Sequence, residues 1–169
     1  LITGASGSVG ISLIKELMEN YNFNVIRAMS NDEHGLFLLK SIIKKNYSSF
    51  DELSRNQRIR LMHGDIRNKE RCIEVSKDID IVIDLNGISN DPSSELNPGH
   101  TWKLNNTYRK KFAIAAHKAG VKRYIFNSTC SIYGFSKKIT FEGGKKNPIS
   151  TYAKANLKAE TYIYGLKNN

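Results

Sequence analysis

The first residues whose type and spacing could do chemistry are three glycines near the start of the chain. They stand three apart in the run Thr3-Gly4-Ala5-Ser6-Gly7-Ser8-Val9-Gly10, which follows the apolar pair Leu1-Ile2. Between a strand and a helix, such glycines permit a tight turn, let backbone approach a pyrophosphate and let the helix pack closely on the strand. The free N–H groups of the first helical turn would face the phosphates. A simple loop is the alternative, but this setting favours a dinucleotide-binding turn.

A polar group follows the next predicted strand. The chain there reads Arg27-Ala28-Met29-Ser30-Asn31-Asp32. A site specific for NAD usually carries an acid at this place, where it binds the ribose 2′-hydroxyl. Ser30 stands in that position and Asn31 follows it, and a hydroxyl and an amide tolerate a 2′-phosphate better than a carboxylate does. The segment therefore allows NADP as well as NAD, and Asp32 could still support NAD.

Strand and helix patterns alternate along the chain. Stripes of apolar residues at helical spacing are separated by short β-branched or apolar runs. Gly120 is placed to end the longest helix. The pattern predicts strands over 1–2, 24–29, 58–62, 79–85 and 123–128, helices over 9–18, 36–45, 69–77 and 102–119, and a surface loop over 135–147.

This alternation is typical of βαβ units. Because βαβ connections are right-handed, the simplest topology is a doubly wound parallel sheet, which is an α/β fold of Rossmann type. Such a fold is expected to bind ligands beyond the carboxyl ends of its strands. At 169 residues the chain is long enough for one domain and short for two. Because it opens on Leu1 and stops within a helical pattern, we expect a fragment that is truncated at both ends.

Charge and composition restrict the partners. The excess of 26 Lys+Arg over 16 Asp+Glu gives a formal charge of +10, which would attract any polyanion. The lysines are scattered without interleaved aromatic residues, so a solvated surface is favoured over nucleic-acid binding. No apolar run reaches the roughly 20 residues of a membrane span, and we expect a cytoplasmic protein. The two cysteines and four histidines show no ligand spacing, so no metal site is predicted.

Further motifs follow one another in an order that resembles a known family. They are Gly64-Asp65-Ile66-Arg67, Asp91-Pro92 before Leu96-Asn97-Pro98, Asn105 in the long helix, Ser128-Thr129-Cys130-Ser131-Ile132-Tyr133-Gly134 and Tyr152-Ala153-Lys154. With the glycine turn, they resemble the extended short-chain dehydrogenase/reductase family, in particular its NAD-dependent epimerase/dehydratase group, which acts on nucleotide sugars. The likeness implies that residues 1–169 form the NAD(P)-binding Rossmann domain and that the C-terminal substrate lobe is absent.

The resemblance implies cofactor contacts beyond the glycine turn. Asp65 and Ile66 match the pair that contacts the adenine ring, although a turn or helix-capping acid is the alternative for Asp65. Asn86 departs from the Leu-Ala-Ala stretch that lines the cofactor in the family, and Asp84 stands where a histidine is common. The expected cofactor set is Gly4, Ser6, Gly7, Ser8, Val9, Gly10, Ser30, Asn31, Asp65, Ile66, Leu85, Asn86, Gly87 and Tyr152.

Catalytic residues are also implied by the resemblance. Asn105 matches an active-site asparagine, with a polar residue on the exposed edge of the helix as the alternative. Thr129, four residues before Tyr133, matches the hydroxyl that binds the reacting sugar oxygen, and the adjacent Ser128 is the alternative. Tyr152 matches the tyrosine that removes a proton while hydride passes to the nicotinamide.

The family places a lysine four residues after this tyrosine, and here that position is Asn156. A phenol, with a reference pKa of about 10, needs a nearby cation to act as a base at neutral pH. On a helix, Lys154 and Lys158 lie roughly 160° and 120° away from Tyr152, so neither can substitute. Asn156 could bind a ribose hydroxyl but supplies no charge, and we expect catalysis to be impaired.

Two further positions bear on the reaction. Cys130 and Ser131 stand where sugar-nucleotide 4,6-dehydratases of the family carry Asp and Glu, and neither does that acid–base work easily, which argues against dehydration. The leading hypothesis is the cofactor-binding part of an NAD(P)-dependent nucleotide-sugar epimerase, or of a related dehydratase or reductase, and the resemblance also allows a homodimer. The rival hypotheses are a catalytically impaired NAD(P)-binding or regulatory protein of the same fold and a polyanion binder.

Overall fold

The computed structural model describes residues 1–46 and 58–166. Five parallel strands form one sheet in the order β3-β2-β1-β4-β5. The ends of each strand lie within two residues of the predicted range, and the doubly wound parallel sheet is confirmed. The strands are β1 Ile2–Thr3, β2 Ile26–Ser30, β3 Ile59–His63, β4 Ile81–Asp84 and β5 Arg123–Phe126.

Seven α-helices are found in the described ranges, and two of them were not predicted. Helices α4 and α5 are short, and each begins at an asparagine, Asn90 or Asn97, whose side chain accepts a backbone N–H three residues on. Helices held by such caps and a following proline show no apolar stripe, so periodicity cannot find them. The helices are α1 Ser8–Asn20, α2 Glu33–Asn46, α3 Lys69–Ser76, α4 Asp91–Glu95, α5 Pro98–Trp102, α6 Arg109–Lys118 and α7 Thr151–Gly165.

The helix predicted over 102–119 contains a π-helical segment, Lys103–Tyr108, between α5 and α6. A π-helical turn holds extra backbone relative to an α-helical one and is frequent at functional sites. Asn105 and Asn106 lie on this segment and are 0% and 2% exposed. Gly120 follows the helix end with φ +84°, which confirms its predicted role in a left-handed conformation.

An apolar layer lies on each face of the sheet. Neighbouring residues Ala28 and Met29 of β2 belong to opposite layers, because side chains alternate along a strand. One layer joins the sheet to α1 and α2 through Ile2, Ala5, Ile14, Ile26, Ala28, Leu39, Ile43 and Ile59. The other joins it to α3 and α6 through Leu1, Met29, Ile66, Cys72, Val75, Ile79, Val82, Phe112, Ala115 and Ala116. Each fully buried large apolar side chain stabilises the fold by about 1.5–3 kcal/mol.

The central strand β1 lies between β2 and β4, where the strand order reverses. Doubly wound sheets bind ligands in the crevice beyond the carboxyl ends of the strands at this point. Thr3, the last residue of β1, is in register with Asp84, the last residue of β4. The residues that follow each strand therefore meet at one edge of the sheet.

The described residues also include one long loop, and they offer neither a helix that could span a membrane nor a cluster that could hold a metal ion. Residues 135–147 contain only turns and bends, as predicted. Within residues 1–46 and 58–166, no helix is both long and apolar enough to cross a bilayer. The same residues include no group of three His, Cys, Asp or Glu side chains placed to hold a metal ion.

Candidate functional site

The first glycine of the turn lies against the end of β4. Gly4 has φ +67°, and a Cβ atom at this position would lie 2.8 Å from the carbonyl oxygen of Leu85. The following residue, Ala5, is tied to β2 by a 3.1 Å hydrogen bond from its N–H to the carbonyl oxygen of Met29. Only glycine fits both the backbone conformation and the close approach at position 4, as the spacing predicted.

The remaining glycines leave the start of α1 open. Gly7 is the N-cap residue of α1 and offers no capping side chain, while Gly7, Ser8 and Val9 are exposed. A Cβ at Gly10 would lie 2.6 Å from the carbonyl oxygens of Gly4 and Ala5, so this glycine permits the helix to pack on the turn. The first N–H groups of α1 are therefore available to an anion. These residues fit the diphosphate of a dinucleotide.

The end of β2 carries an inward serine and an outward asparagine. The Oγ atom of Ser30 lies 2.8 Å from that of Ser6 and accepts the N–H of Asp32 at 3.1 Å, and Ser30 is 6% exposed. The Asp32 carboxylate accepts the N–H of Gly35 at 2.9 Å, at the start of α2. Asn31 is exposed, and its Nδ2 atom lies 3.5 Å from Asp65 Oδ2. Of Ser30 and Asn31, Asn31 is thus the one whose side chain is exposed.

Asp65 follows β3 and is paired with Arg67. The guanidinium of Arg67 donates to Asp65 Oδ2 at 2.6 Å, and the N–H of Arg67 donates to Oδ1 at 2.8 Å. The side-chain hydrogen bond from Arg67 is the main reason why the pKa of Asp65 lies below its usual value. Ile66 is buried in the apolar layer with α3, so a contact from Ile66 to an adenine ring would come from its backbone.

A buried carboxylate ends β4. Asp84 is 0% exposed, and its oxygens accept from Thr3 Oγ1 at 3.1 Å, from the Asn86 N–H and Nδ2 at 3.1 and 3.0 Å, and from the Tyr124 hydroxyl at 2.8 Å. Arg109 Nε donates to Asp84 Oδ2 at 2.9 Å. Burial opposes ionisation of Asp84, but the charge of Arg109 and these hydrogen bonds hold the pKa of Asp84 below its usual value.

Arg109, which the sequence analysis missed, connects this carboxylate to α7. Its Nη2 atom donates to the carbonyl oxygens of Asp84 and Asn127 at 3.0 and 3.1 Å, and Nη1 donates to Asn156 Oδ1 at 3.0 Å. The guanidinium lies 3.8 Å from the centre of the Phe126 ring, and the residue is 2% exposed. A sequence signal existed, because Arg109 stands four residues after Asn105 and so lies on its face of the long helix.

Asn156 is placed in the interior and not at the surface. It is 2% exposed, its Oδ1 accepts from Arg109, and its Nδ2 donates to the carbonyl oxygen of Tyr152 at 2.9 Å. Tyr152 lies one turn earlier on α7 and is partly exposed. Lys154 and Lys158 are exposed, in keeping with their predicted direction away from this face.

Asn105 holds the loop after β4. Its Oδ1 accepts the N–H of Ile88 at 2.8 Å, and its Nδ2 donates to the Ile88 carbonyl oxygen at 2.9 Å. Gly87 has φ +126°, and a Cβ there would lie 2.7 Å from Asn105 Oδ1. The alternative of a polar residue on the exposed edge of the helix is therefore wrong, and Asn105 fixes the segment that contains Leu85, Asn86 and Gly87.

The two hydroxyls after β5 have different partners. Ser128 Oγ donates to Glu160 Oε2 at 2.5 Å, and Lys146 Nζ pairs with Glu160 Oε1 at 2.6 Å. Thr129 Oγ1 accepts the N–H of Ser131 at 3.2 Å, at the start of the 3₁₀-helix Cys130–Tyr133. Ser128 thus anchors α7, and Thr129 donates no hydrogen bond to the part of the chain that the structure describes.

Short helix α4 fixes the start of α7. The Asp91 carboxylate accepts hydrogen bonds from the hydroxyls of Ser131 and Ser150, and Glu95 accepts the N–H of Thr151 at 2.8 Å. Ser150 is the N-cap residue of α7. The first turn of α7, which carries Tyr152, is therefore held from the β4 side of the site.

A family model described as the NAD dependent epimerase/dehydratase family matches residues 1–168. The chain belongs to this family. The finding confirms the resemblance on which the expected site residues depend. Which of those residues act on a substrate stays a prediction.

The curated proteins that this chain is similar to include dehydratases and epimerases. A UDP-N-acetylglucosamine 4,6-dehydratase (inverting) of Campylobacter jejuni is 34% identical over 143 residues, which are 81% of this chain and 40% of the relative. A UDP-glucose 4-epimerase of Klebsiella pneumoniae is 27% identical over 145 residues, 83% of this chain and 96% of that sequence. The chain spans about 40% of the length of the first two curated relatives it matches.

Solved structures with the same fold include a dehydratase and an epimerase. A dTDP-glucose 4,6-dehydratase of Streptomyces venezuelae, solved with NAD, has a TM-score of 0.83 at 17% identity and covers 99% of this chain and 51% of its own. A UDP-Glc/GlcNAc 4-epimerase of Campylobacter jejuni has a TM-score of 0.80 at 18% identity, with 99% and 48% covered. At such identities the likeness shows the Rossmann-type fold.

Proposed function

We propose that this chain is the NAD(P)-binding part of a nucleotide-sugar epimerase, or of a related dehydratase or reductase. One observation carries the proposal. A continuous set of hydrogen bonds runs from Thr3 through Asp84 and Arg109 to Asn156, and so it joins the end of β1, just before the glycine turn, to the helix that carries Tyr152. A dinucleotide on the turn and a phenol on α7 would therefore face one crevice.

The chemistry of this proposal divides between cofactor and protein. When bound, the oxidised nicotinamide supplies the hydride acceptor. Tyr152 takes the proton of a sugar hydroxyl while the sugar carbon that bears this hydroxyl loses hydride to the nicotinamide, which leaves a ketone. Thr129 donates a hydrogen bond to the reacting oxygen. The N–H groups at the start of α1 bind the diphosphate, and Asn105 keeps the loop after β4 in place beside the cofactor.

The choice of sugar is proposed to depend on residues outside this chain. The chain covers about 40% of the length of the first two curated relatives, and 53% and 45% of two others. We therefore infer that residues 1–169 form the cofactor-binding domain and that a separate lobe selects the nucleotide sugar. The reaction subtype stays open between epimerase, dehydratase and reductase.

Calorimetric titration of the chain with NAD and with NADP tests cofactor binding. The sharpest variant is Gly7→Ala, because a Cβ at Gly7 meets only the Gly4 carbonyl oxygen, at 3.3 Å, and yet would intrude where backbone approaches the diphosphate. We expect the folded Gly7→Ala chain to bind at least about tenfold more weakly. Gly165→Ala is the matched control, since a Cβ there meets nothing within 4 Å. Absence of saturable binding of either dinucleotide by the folded wild-type chain would remove the proposal.

A second candidate is an NAD(P)-binding protein without turnover, and Asn156 in the place of the family lysine favours it. The two candidates agree on dinucleotide binding and differ on hydride transfer. In a protein that also carries the substrate lobe, formation of reduced cofactor on adding UDP-sugars decides between them. Binding without any reduction, for every nucleotide sugar tried, would leave the binding protein as the function.

A further inference from the structure

Three departures from the family pattern meet in one buried cluster. Asp84 and Asn86 lie together at the end of β4 and Asn156 lies much later in the chain, on α7, but Asp84 accepts from both Asn86 and Arg109, and Arg109 donates to Asn156. Asp84, Arg109 and Asn156 are each at most 2% exposed. The residue that joins these departures is Arg109, which lies on α6 and not on the helix of the tyrosine.

The cluster has room for one cation. Asp84 and Arg109 are its two charged members, and their charges cancel, while Asn156 Oδ1 accepts from Nη1 at 3.0 Å. A lysine at position 156 would bring a second buried cation against the guanidinium and would remove the acceptor of Nη1. An unpaired buried charge is strongly destabilising. Asn156 is therefore the neutral hydrogen-bond acceptor that the buried Arg109 requires, and its presence is not explained by the loss of a lysine alone.

In the Asp84–Arg109 pair, the guanidinium of Arg109 is the group that contacts α7. Arg109 contacts Asp84 through Nε and Nη2, and it contacts Asn156 through Nη1. The guanidinium thus lies between the carboxylate and α7, on the face that Asn156 shares with Tyr152 one turn earlier. Of the two charged members of the cluster, Arg109 is the one that donates a hydrogen bond to α7.

We propose that Arg109 is a positioning residue that brings the cation of the site to the face of Tyr152 from α6, and that positions 109 and 156 exchange this cation as one unit. The inference deepens the proposed function and rests on it for the role of Tyr152. It also changes the expectation for a lysine at position 156, because Asn156→Lys alone should harm the protein and not restore it.

A double-mutant cycle tests the exchange through stability alone. Asn156→Lys adds an unpaired cation and Arg109→Gln leaves Asp84 unpaired, so each single variant should raise the unfolding equilibrium constant by about a hundredfold or more. The double variant Arg109→Gln with Asn156→Lys, here the cation-exchanged variant, restores one cation for one carboxylate. We expect it to be more stable than either single variant in urea unfolding. A cation-exchanged variant that is no more stable than the better single variant, or that fails to fold, overturns the exchange.

A spectroscopic readout separates positioning of charge from packing. Tyrosine labelled with ¹³C at Cζ reports the electrostatic surroundings of the Tyr152 ring, with Tyr152→Phe to assign its signal. The comparison is with Asp84→Asn plus Arg109→Gln, here the charge-free variant, in which no buried charge is left unpaired. At one fixed pH we expect the Cζ signal of Tyr152 to be displaced in this variant and to stay near its wild-type position in Arg109→Lys, which keeps a cation.

The outcomes distinguish this inference from the proposed function. An unchanged Tyr152 signal in the folded charge-free variant overturns the role of Arg109. If the charge-free variant does not fold, the signal of Arg109→Lys decides alone, and a position near that of the wild type supports the role while a displaced signal overturns it. Neither readout needs a dinucleotide, so failure of the wild-type chain to bind NAD and NADP would remove the proposed function and leave the cycle interpretable.

Discussion

Thr3 Oγ1 donates a 3.1 Å hydrogen bond to Asp84 Oδ1, and these two residues are also paired in register at the carboxyl ends of β1 and β4. The bond crosses the point where the strand order reverses. It joins the residue that opens the glycine turn to the only carboxylate of the buried cluster. The ionised state of Asp84 therefore affects both the fold and the crevice where a dinucleotide is proposed to bind.

We predict that the Asp84–Arg109 pair makes the free energy of unfolding depend on pH in the acid range. The folded-state pKa of Asp84 is lowered from an unfolded value of about 3.9. Its contribution is therefore fully present above that value and is lost as the pH falls through the lower, folded-state pKa. The charge-free variant, Asp84→Asn with Arg109→Gln, lacks this contribution. In urea unfolding, the free energy of unfolding of the wild type should fall relative to that of this variant as the pH drops below about 4. A difference between the two that does not change with pH would contradict the prediction.

A second prediction concerns the packing of the glycine turn. A Cβ at Gly10 would lie 2.6 Å from two carbonyl oxygens, and backbone atoms cannot rotate away as a side chain would. We expect Gly10→Ala to lower the free energy of unfolding by about 1–3 kcal/mol. Gly165→Ala, at an open helical position, should leave it unchanged or raise it slightly. Equal stabilities of the two variants in urea would contradict the close packing seen at Gly10.

The strands and the glycine turn could be predicted from the sequence because their signals are local. β-branched runs, helical stripes and the spacing of Gly4, Gly7 and Gly10 depend on neighbouring residues alone. The ends of β1 and β5 differ from prediction by only one or two residues. The asparagine-capped helices α4 and α5 were missed because they are too short to show a period.

The buried cluster could not be predicted because its members come from β4, α6 and α7. Asp84 and Asn156 each look like a departure from the family pattern when taken alone. Arg109 was hidden beside Lys110 and Lys111, which lie on the polar face of the same helix. The side-chain directions and distances that join the three residues depend on the packing of the whole domain. The sequence could show the missing lysine, but not the cation from α6.

A third prediction separates the two hydroxyls after β5. Ser128 donates to a carboxylate that is also paired with Lys146, so Ser128→Ala should lower the free energy of unfolding by about 1–2 kcal/mol. Thr129→Val keeps the side-chain shape and loses the hydroxyl that is proposed to bind the sugar oxygen. In a protein that carries the substrate lobe, we expect it to lower the rate of cofactor reduction by about a hundredfold. A larger rate loss for Ser128→Ala, at retained stability, would exchange the two roles.

The last prediction concerns the choice between NAD and NADP. At the end of β2, Ser30 points inward and Asn31 is the exposed side chain, with the carboxylate of Asp65 3.5 Å from its Nδ2. Among the described residues around Asn31, the guanidinium of Arg67 is engaged with Asp65, so it is not free to pair with a 2′-phosphate. We therefore expect Asn31→Arg to raise the affinity for NADP about tenfold relative to NAD, through a charge-assisted hydrogen bond to the phosphate.

Asn24→Arg is the matched control, because it adds the same charge at an exposed position before β2, at the opposite end of that strand. Calorimetric titration of both variants with both dinucleotides measures the ratio of affinities. A gain that depends on the local contact appears only in Asn31→Arg, whereas a gain from the overall charge appears in both variants and falls with added salt. The same ratio in both variants would mean that the 2′-position of the ribose does not lie beside Asn31, and the predicted contact between Asn31 and the ribose would then be wrong.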